Sequence, residues 1–535
     1  MYAKVYTGAA VGIDGILVTV EADAGDGLPS FEMVGYLASE VKEARERVRT
    51  AMKNSGYPVP PCRLTVSLSP ADLRKHGNSF DLPIAAAILT ACGYLPKEAA
   101  NGWLLAGELG LDGSLKPVAG TLTLAGCGSG QGITKAMVPA VNAPEAACCP
   151  GIRAVGVHNL KEAVRLLQNP EEAVFAVLSK SSAGKGKSDG SGRNGSGGEN
   201  GNKEMDSGSD SETGMDVDFS ELKGQCFLRR ASEVAAAGLH NILYLGPPGS
   251  GKTMAARRLA TILPSMSQEE QVEISKIYSL AGMLDPAQGL IAARPFRAPH
   301  HSVTLQAMTG GGPLARPGEI SLASGGILFL DELPEFPRQI LEALRQPLED
   351  GAIAVSRLRN SIVYPARLML AAAMNPCPCG YYPDRRRCRC SKGSVDRYLS
   401  RVSQPLLDRM DICAEAGQTG YTELSQEAKE ESSAQIRARV ERAAQIQRER
   451  YKNTGIRSNA SLPHGALSRY CRLNRQGEAL LAQAFETLGL SARAHNRILR
   501  VARTIADLAG EEQIREEHLS EAIGYRGLDK KYWGL

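Results

Sequence analysis

Four short runs in this 535-residue chain carry residue types spaced for chemistry. The first is "GPPGSGKT": Gly246, Pro247, Pro248, Gly249, Ser250, Gly251, Lys252 and Thr253. It fits G-x-x-x-x-G-K-T, in which glycines let backbone N–H groups close around phosphate oxygens at the start of a helix. In that chemistry Lys252 reaches the β and γ phosphates and the Thr253 hydroxyl coordinates Mg2+. The second run, "GGILFLDELPEF", is an apolar strand ending in two acids. Asp331 there suits the Mg2+ hydration shell and Glu332 the polarisation of an attacking water. An acidic pair alone says little; behind a phosphate loop it points to ATP hydrolysis. The third run, "LMLAAAMN", ends in Asn375, whose amide orients a lytic water if its strand neighbours that of Asp331. The fourth, "MNPCPCGYYPDRRRCRC", sets Cys377, Cys379, Cys388 and Cys390 at C-x-C-x8-C-x-C. Four thiolates can surround one tetrahedral zinc, and Arg385, Arg386, Arg387 and Arg389 offset the resulting negative charge. Gly380 lets the chain turn after the first pair. A redox dithiol pair and unligated thiols are the other readings of this spacing.

The surrounding sequence must position these groups. "NILYL" is a β-type run and "MAARRLA" a helix former, so the phosphate loop has a strand before it and a helix after it. "PRQILEALRQPLEDG" predicts a helix with Pro337 at its start and Gly351 past its end. "AIAVSRLRNSIVYPARLMLAAAMN" predicts two strands around a polar turn at 357–360, then a buried strand ending at Asn375. Nearer the start, "RLTVSLSP" is a short apolar run and "DLPIAAAILTACGYL" has the length and composition of a buried helix. Towards the end, "SAQIRARVERAAQIQRERY" predicts a long helix with Ile436, Val440 and Ala443 on one face and its arginines in solvent. Between the halves, Ser179 to Gly214 has almost no apolar side chains to offset the entropy of ordering and reads as a flexible tether.

Composition bounds the partners. At 43% hydrophobic and 22% charged residues the chain reads as soluble and globular, and its length calls for two or three domains. A net charge of +4 leaves nucleic-acid binding to local arginine placement. No run has the length of a membrane span and the first residues lack a secretory leader, so a cytoplasmic protein with no membrane partner is expected. In that reducing setting the twelve cysteines are not structural disulfides, and a close cluster favours metal or redox chemistry.

The phosphate loop, the acidic pair and the hairpin before "AAAMN", taken with "RPFRAPHHSVT", "PLLDRMDI" and "SARAHNRILRVARTIADL", resemble the ComM (YifB) family of magnesium-chelatase-like AAA+ ATPases. The resemblance spans nearly the whole chain outside the tether. It implies an α/β fold class: a P-loop AAA+ core at 216–416 and a helical lid at 417–535. A Lon-protease-like, ribosomal-S5-type domain at 1–170 and a Gly/Ser-rich linker at 171–215 precede them. It further implies ATP and Mg2+ as cofactors, a homo-hexameric ring, and a DNA helicase that drives branch migration in natural transformation on single-stranded or branched DNA. An ATP-driven protein remodeller or a metal-chelatase-type motor shares the same ATPase parts and is the alternative.

Residue by residue, Asn375 matches the sensor-1 position and Arg409 in "LLDRMD" the arginine finger that reaches a neighbouring subunit's ATP, with Arg401 as its rival. Arg493 matches the sensor-2 arginine, with Arg497 one turn away on the same face. A permanently charged guanidinium stabilises transition-state charge, and supplying it in trans couples hydrolysis to assembly. The family's hairpin points into the ring pore, so Arg357 and Arg359 resemble DNA phosphate contacts; a solvated tip is the other reading. His300 and His301 suit a metal, a phosphate contact or a turn, and adjacent side chains on a strand point apart, which disfavours a shared metal. The zinc site would pin an insertion between two parts of the ATPase. In the first domain, "LSPADLRKHGNSFDLPIAAAIL" and "GELGLDGSLKPVAG" carry the likeness, Ser79 falls near the protease serine, and Leu124 stands where its lysine base is expected. Peptidase chemistry therefore lacks its base.

Overall fold

The computed structural model describes residues 1–129, 131–176, 217–285, 289–312, 315–356, 361–417 and 430–533. The tether, and Arg357 and Arg359 at the hairpin turn, lie outside the described residues.

The first half is built on a mixed sheet of β1 (Tyr2–Val11), β2 (Asp14–Gly25), β3 (Ser30–Val34), β4 (Arg63–Ser69), β5 (Trp103–Leu105), β6 (Lys135–Pro139) and β7 (Arg153–Val157). Its order is β3-β4-β2-β1-β5-β6-β7. β1 and β2 form a tight hairpin, paired from Tyr2 opposite Asp23 to Val11 opposite Asp14, with Gly12 at φ +63° in the turn. In β4 every second residue, Leu64, Val66 and Leu68, is buried, as expected of a strand covered on one face. The helix Asp81–Ala91, expected from its composition, packs on β1 and β2 with every residue buried. Asp81 survives there because Arg47 donates to both of its carboxylate oxygens, at 2.9 and 3.0 Å, and the Leu109 N–H donates at 3.2 Å. Residues 171–176, counted with the linker in the domain division above, pack on this unit. Phe175 bridges to Val155 and stacks on Trp103 at 6.4 Å between ring centroids.

The second sheet holds β8 (Ile242–Leu245), β9 (Phe296–Arg297), β10 (Ile327–Leu330), β13 (Met369–Met374) and β14 (Ile412–Glu415) in the order β9-β10-β13-β8-β14. All are parallel. β8, β10 and β13 are buried along their whole length, so their apolar runs are continuous rather than alternating. Leu245 lies opposite Met374, and Leu330 opposite Ala372. The residues that follow these three strands therefore emerge side by side, and the strand of Asn375 does neighbour that of Asp331. Between β10 and β13 a separate antiparallel hairpin, β11 (Ala352–Ser356) and β12 (Ser361–Pro365), stands off the sheet.

The single helix expected across 337–351 is two, Arg338–Ala343 and Arg345–Asp350. Pro347 has no N–H to give the Ala343 carbonyl, so the hydrogen-bond ladder breaks there. The long helix Ser433–Arg450 forms as expected, opened by a reciprocal Ser432–Gln435 cap, with Ile436, Val440 and Ala443 buried. It shares one apolar core with β8, β13 and the helix Ala492–Ala509, so the helical part is packed on the sheet rather than tethered to it. The helix Gln268–Ala281 joins the two halves: Ser279 Oγ donates to Glu145 at 2.5 Å, and its carbonyl accepts from the Gly120 N–H at 3.2 Å.

Asp411, just before β14, ties the helical part to the sheet. It lies 3.5 Å from Arg497 and 3.5 Å from His240, and accepts from the Asn241 N–H at 3.1 Å. Burial pushes its pKa up, but His240, Arg497 and Arg500 win and hold it at about 2. A folded pKa below the unfolded one means that the carboxylate stabilises the fold above about pH 4, with that contribution lost as pH falls towards 2. The shift corresponds to a contribution on the order of 2 to 3 kcal/mol. Asp411→Asn is expected to lower urea stability of the unit built on the second sheet by that order at neutral pH, with the deficit shrinking below about pH 3. An unchanged urea midpoint at neutral pH would show that this charge contributes nothing net.

Candidate active site

The phosphate loop closes β8 and opens the helix Lys252–Ile262. Gly249 and Gly251 take φ of +75° and +83°, values that side chains resist. At Gly246 a methyl group would lie 2.7 Å from the Ala416 carbonyl, so the loop packs flush on the end of β14. Ser250 Oγ braces the loop by donating to the Pro247 carbonyl at 2.8 Å. The buried Lys252 ammonium donates to the carbonyls of Gly246 at 2.8 Å and Pro247 at 2.7 Å, and to Asn375 Oδ1 at 3.1 Å. Thr253 Oγ1 donates to Asp331 Oδ2 at 2.8 Å. The structure thus brings together four sequence-predicted residues, Lys252, Thr253, Asp331 and Asn375, from the ends of three adjacent strands. Their donor set fits a nucleotide phosphate with Mg2+: an ammonium, a hydroxyl and a carboxylate around one point, under a loop whose glycines leave the backbone open.

Glu332 follows Asp331 but points elsewhere. Its backbone sits at φ +52°, ψ +48°, a left-handed conformation uncommon outside glycine. Its N–H donates to Asp331 Oδ1 at 2.9 Å and its side chain is 62% exposed. The neighbour sequence reasoning missed is His301, whose Nδ1 is 3.7 Å from Glu332 Oε2. The two histidine rings do not point apart. β9 ends at Arg297, His300 and His301 lie in the turn beyond it, and their ring centroids are 3.9 Å apart. Strand alternation did not apply to them.

The predicted arginines lie in different places. The Arg409 carbonyl accepts from Asn241 Nδ2 at 2.9 Å, and Asn241 leads into β8. Arg409 is therefore at the amino edge of the sheet, a strand length of roughly 13 Å from the phosphate loop of its own chain. Its guanidinium is nine-tenths buried, donating to the Pro405 carbonyl at 2.7 Å and paired with Glu349. Arg401 is half exposed and pairs with Glu335 at 2.8 Å. Arg497 is consumed by Asp411 and by the Met410 carbonyl at 3.0 Å. Arg493, one turn earlier, is exposed.

Comparison with known proteins agrees with this architecture. A family model described as magnesium chelatase, subunit ChlI, matches residues 218–424, with two further ChlI models over 20–142 and 430–526. The chain is 40% identical to the competence protein ComM of Haemophilus influenzae over 530 residues, 98% of this chain and 97% of that protein. It is 41% identical to YifB of Escherichia coli over 527 residues, 98% of this chain and 97% of that protein. The chain belongs to the ComM/YifB family. A more distant likeness, 27% over 176 residues, links it to the magnesium-chelatase 38 kDa subunit of Rhodobacter capsulatus and covers 30% of this chain and 50% of that one.

Two features of this ComM/YifB chain stand apart from the nucleotide groups. The four predicted cysteines do converge, with all four Sγ atoms within 4.8 Å of one another and Cys377 and Cys388 buried. In the first domain Leu124 is buried in an apolar cluster and offers no base. Lys75 of the same domain, fully buried, spends its ammonium on the Pro70 carbonyl.

Burial lowers the Lys252 ammonium to about 8, against the pull of Asp331. Phosphate oxygens favour the charged form, so nucleotide binding between that value and the ordinary 10.5 is expected to take up a proton. Calorimetry at about pH 8.5 in two buffers of different ionisation enthalpy reads the uptake, and Lys252→Arg, charged throughout, removes it. Equal apparent enthalpies for the unaltered chain in both buffers would contradict this titration.

Proposed function

We propose that this chain is an ATP-hydrolysing DNA translocase that works as a homo-hexameric ring on single-stranded or branched DNA in the cytoplasm. In this reading it promotes branch migration of recombination intermediates in natural transformation. The observation that carries the ATPase part is the convergence of Lys252, Thr253, Asp331 and Asn375 at one edge of the parallel sheet. Lys252 binds the β and γ phosphates. Thr253 and Asp331 would hold Mg2+, which supplies charge neutralisation when bound. Glu332 takes the proton of an attacking water that Asn375 orients.

Assembly enters through Arg409. It sits a strand's length from its own phosphate loop, so the site it can serve as a finger belongs to another copy. Release from Glu349 is then part of completing the site. Arg493, exposed at the start of its helix, is the lid's contribution, because Arg497 is already bound. The hairpin β11–β12 carries Arg357 and Arg359 towards DNA phosphates, and it touches the first domain: Ile362 lies 2.9 Å from where a Gly12 Cβ would be. A Lon-type first domain without a catalytic base then serves as a platform on the ring, joined by the 177–216 segment. The four cysteines hold a structural zinc. A metal-chelatase-type motor is the second reading, favoured by the ChlI match over 218–424.

ATPase rates with and without single-stranded or branched DNA separate the two. Stimulation by DNA, and a gel shift at low salt that weakens as salt rises, are expected of the translocase. A rate indifferent to every DNA, with no gel shift, leaves the chelatase-type reading. Glu332→Gln is expected to bind ATP normally while turnover drops roughly 100-fold or more. Normal turnover in that variant would take the base assignment away from Glu332.

A further inference from the structure

The cysteine knuckle and the phosphate loop are in contact. Cys377 follows Asn375 by two positions, so the first ligand hangs from the strand end that also holds Lys252. Gly380 turns the chain at φ +85° directly after Cys379. A methyl group there would lie 2.3 Å from Cδ and 2.8 Å from Cγ of Pro248, the third residue of the phosphate loop. The knuckle backbone therefore rests on the loop with no room for even one carbon between them.

The base of the knuckle is held by the core beside the second sheet: Cys377 and Cys388 are buried in it, and Tyr381 and Tyr382 pack against it. Residues 378, 383–387 and 389 are exposed, so little apolar burial offsets the entropy of closing that stretch. The four sulfurs close it. Sγ separations of 3.3 Å (Cys377–Cys379), 3.8 Å (Cys377–Cys388) and 3.6 Å (Cys379–Cys388) are far too long for disulfides. They are close to the roughly 3.8 Å edge of a tetrahedron with bonds of about 2.3 Å from zinc to sulfur. The Tyr382 N–H donates to Cys377 Sγ at 3.4 Å, the outer hydrogen bond that a bound thiolate uses.

We propose that the zinc bound by Cys377, Cys379, Cys388 and Cys390 buttresses the phosphate loop through Gly380 and Pro248, so that nucleotide affinity follows metal occupancy. This rests on the zinc reading above. The metal fixes the knuckle, and the knuckle fixes the loop from outside while Asn375 fixes it from the strand end. With the metal gone, Gly380 recedes from Pro248, and the loop samples conformations in which its N–H groups no longer converge.

The full chain, purified without chelator, is assayed for zinc and for affinity towards a fluorescent ADP analogue. It is then stripped with a thiol-directed mercurial plus chelator and reloaded with Zn2+. About one zinc per chain is expected, with affinity falling about tenfold or more on stripping and returning on reloading. Less than about half an equivalent of zinc would overturn the metal site itself. Full zinc with affinity unchanged on stripping overturns the coupling and leaves the site standing. Gly380→Ala keeps every ligand, so it tests the contact even if the stripped chain loses its fold. Weakened nucleotide binding at full zinc content supports the buttress, and unweakened binding at full zinc content overturns it.

Discussion

The nucleotide site depends on one topological constraint: β13 must lie between β8 and β10 in a parallel sheet. Only then does Asn375, leaving β13, meet Lys252 from the loop after β8 at 3.1 Å, while Thr253 reaches across to Asp331 after β10 at 2.8 Å. None of the three strands carries a charge within its span, because each is buried on both faces. The polar groups are confined to the strand ends, where the ladder stops and backbone dipoles and side chains can face a ligand. A strand inserted between β13 and either neighbour would separate the pairs by a further strand spacing of about 4.8 Å and dissolve the site.

The same sheet ties the phosphate loop to its opposite edge. Asn241, just before β8, bonds the Arg409 carbonyl; the phosphate loop follows β8. The Asp411 carboxylate, two residues beyond Arg409, accepts from the Asn241 N–H, and the Met410 carbonyl between them takes Arg497 at 3.0 Å and Arg526 at 2.6 Å from the helical part. The segment 409–411 is thus gripped from the sheet on one side and from the helices on the other.

What was legible in the sequence was local. The phosphate loop, the acidic pair and the cysteine quartet each lie within about twenty residues, and their chemistry follows from spacing alone. The buried helix Asp81–Ala91 and the amphipathic helix Ser433–Arg450 were legible because length and periodicity decide them. The break at Leu344 was also written in the sequence, in Pro347, but the flanking Pro337 and Gly351 outweighed it. The rest depends on distant partners. Arg497 and Arg493 sit on one helix one turn apart, and only the fold shows that Asp411 has taken the first. Likewise, no spacing rule brings Gly380 against Pro248 or Phe175 onto Trp103. Residues 171–176 adjoin the polar tether in sequence, and it takes the fold to show that Phe175 stacks on Trp103 while the Ala176 N–H donates to the Ala154 carbonyl.

The two adjacent acids show how backbone conformation divides labour. Asp331 has both oxygens committed, Oδ2 to Thr253 and Oδ1 to the Glu332 N–H, and stays beside the Lys252 ammonium. Had Glu332 continued the strand, the short Asp331 Oδ1 contact with its N–H would be lost. The left-handed turn at φ +52° costs on the order of 1 kcal/mol in a non-glycine residue. In exchange it swings the Glu332 carboxylate clear of the Asp331 oxygens and out to where His301 meets it. One backbone turn thus holds two neighbouring acids on different partners: Asp331 stays on Thr253 at the phosphate loop, and Glu332 lies beside His301 with its side chain largely in solvent.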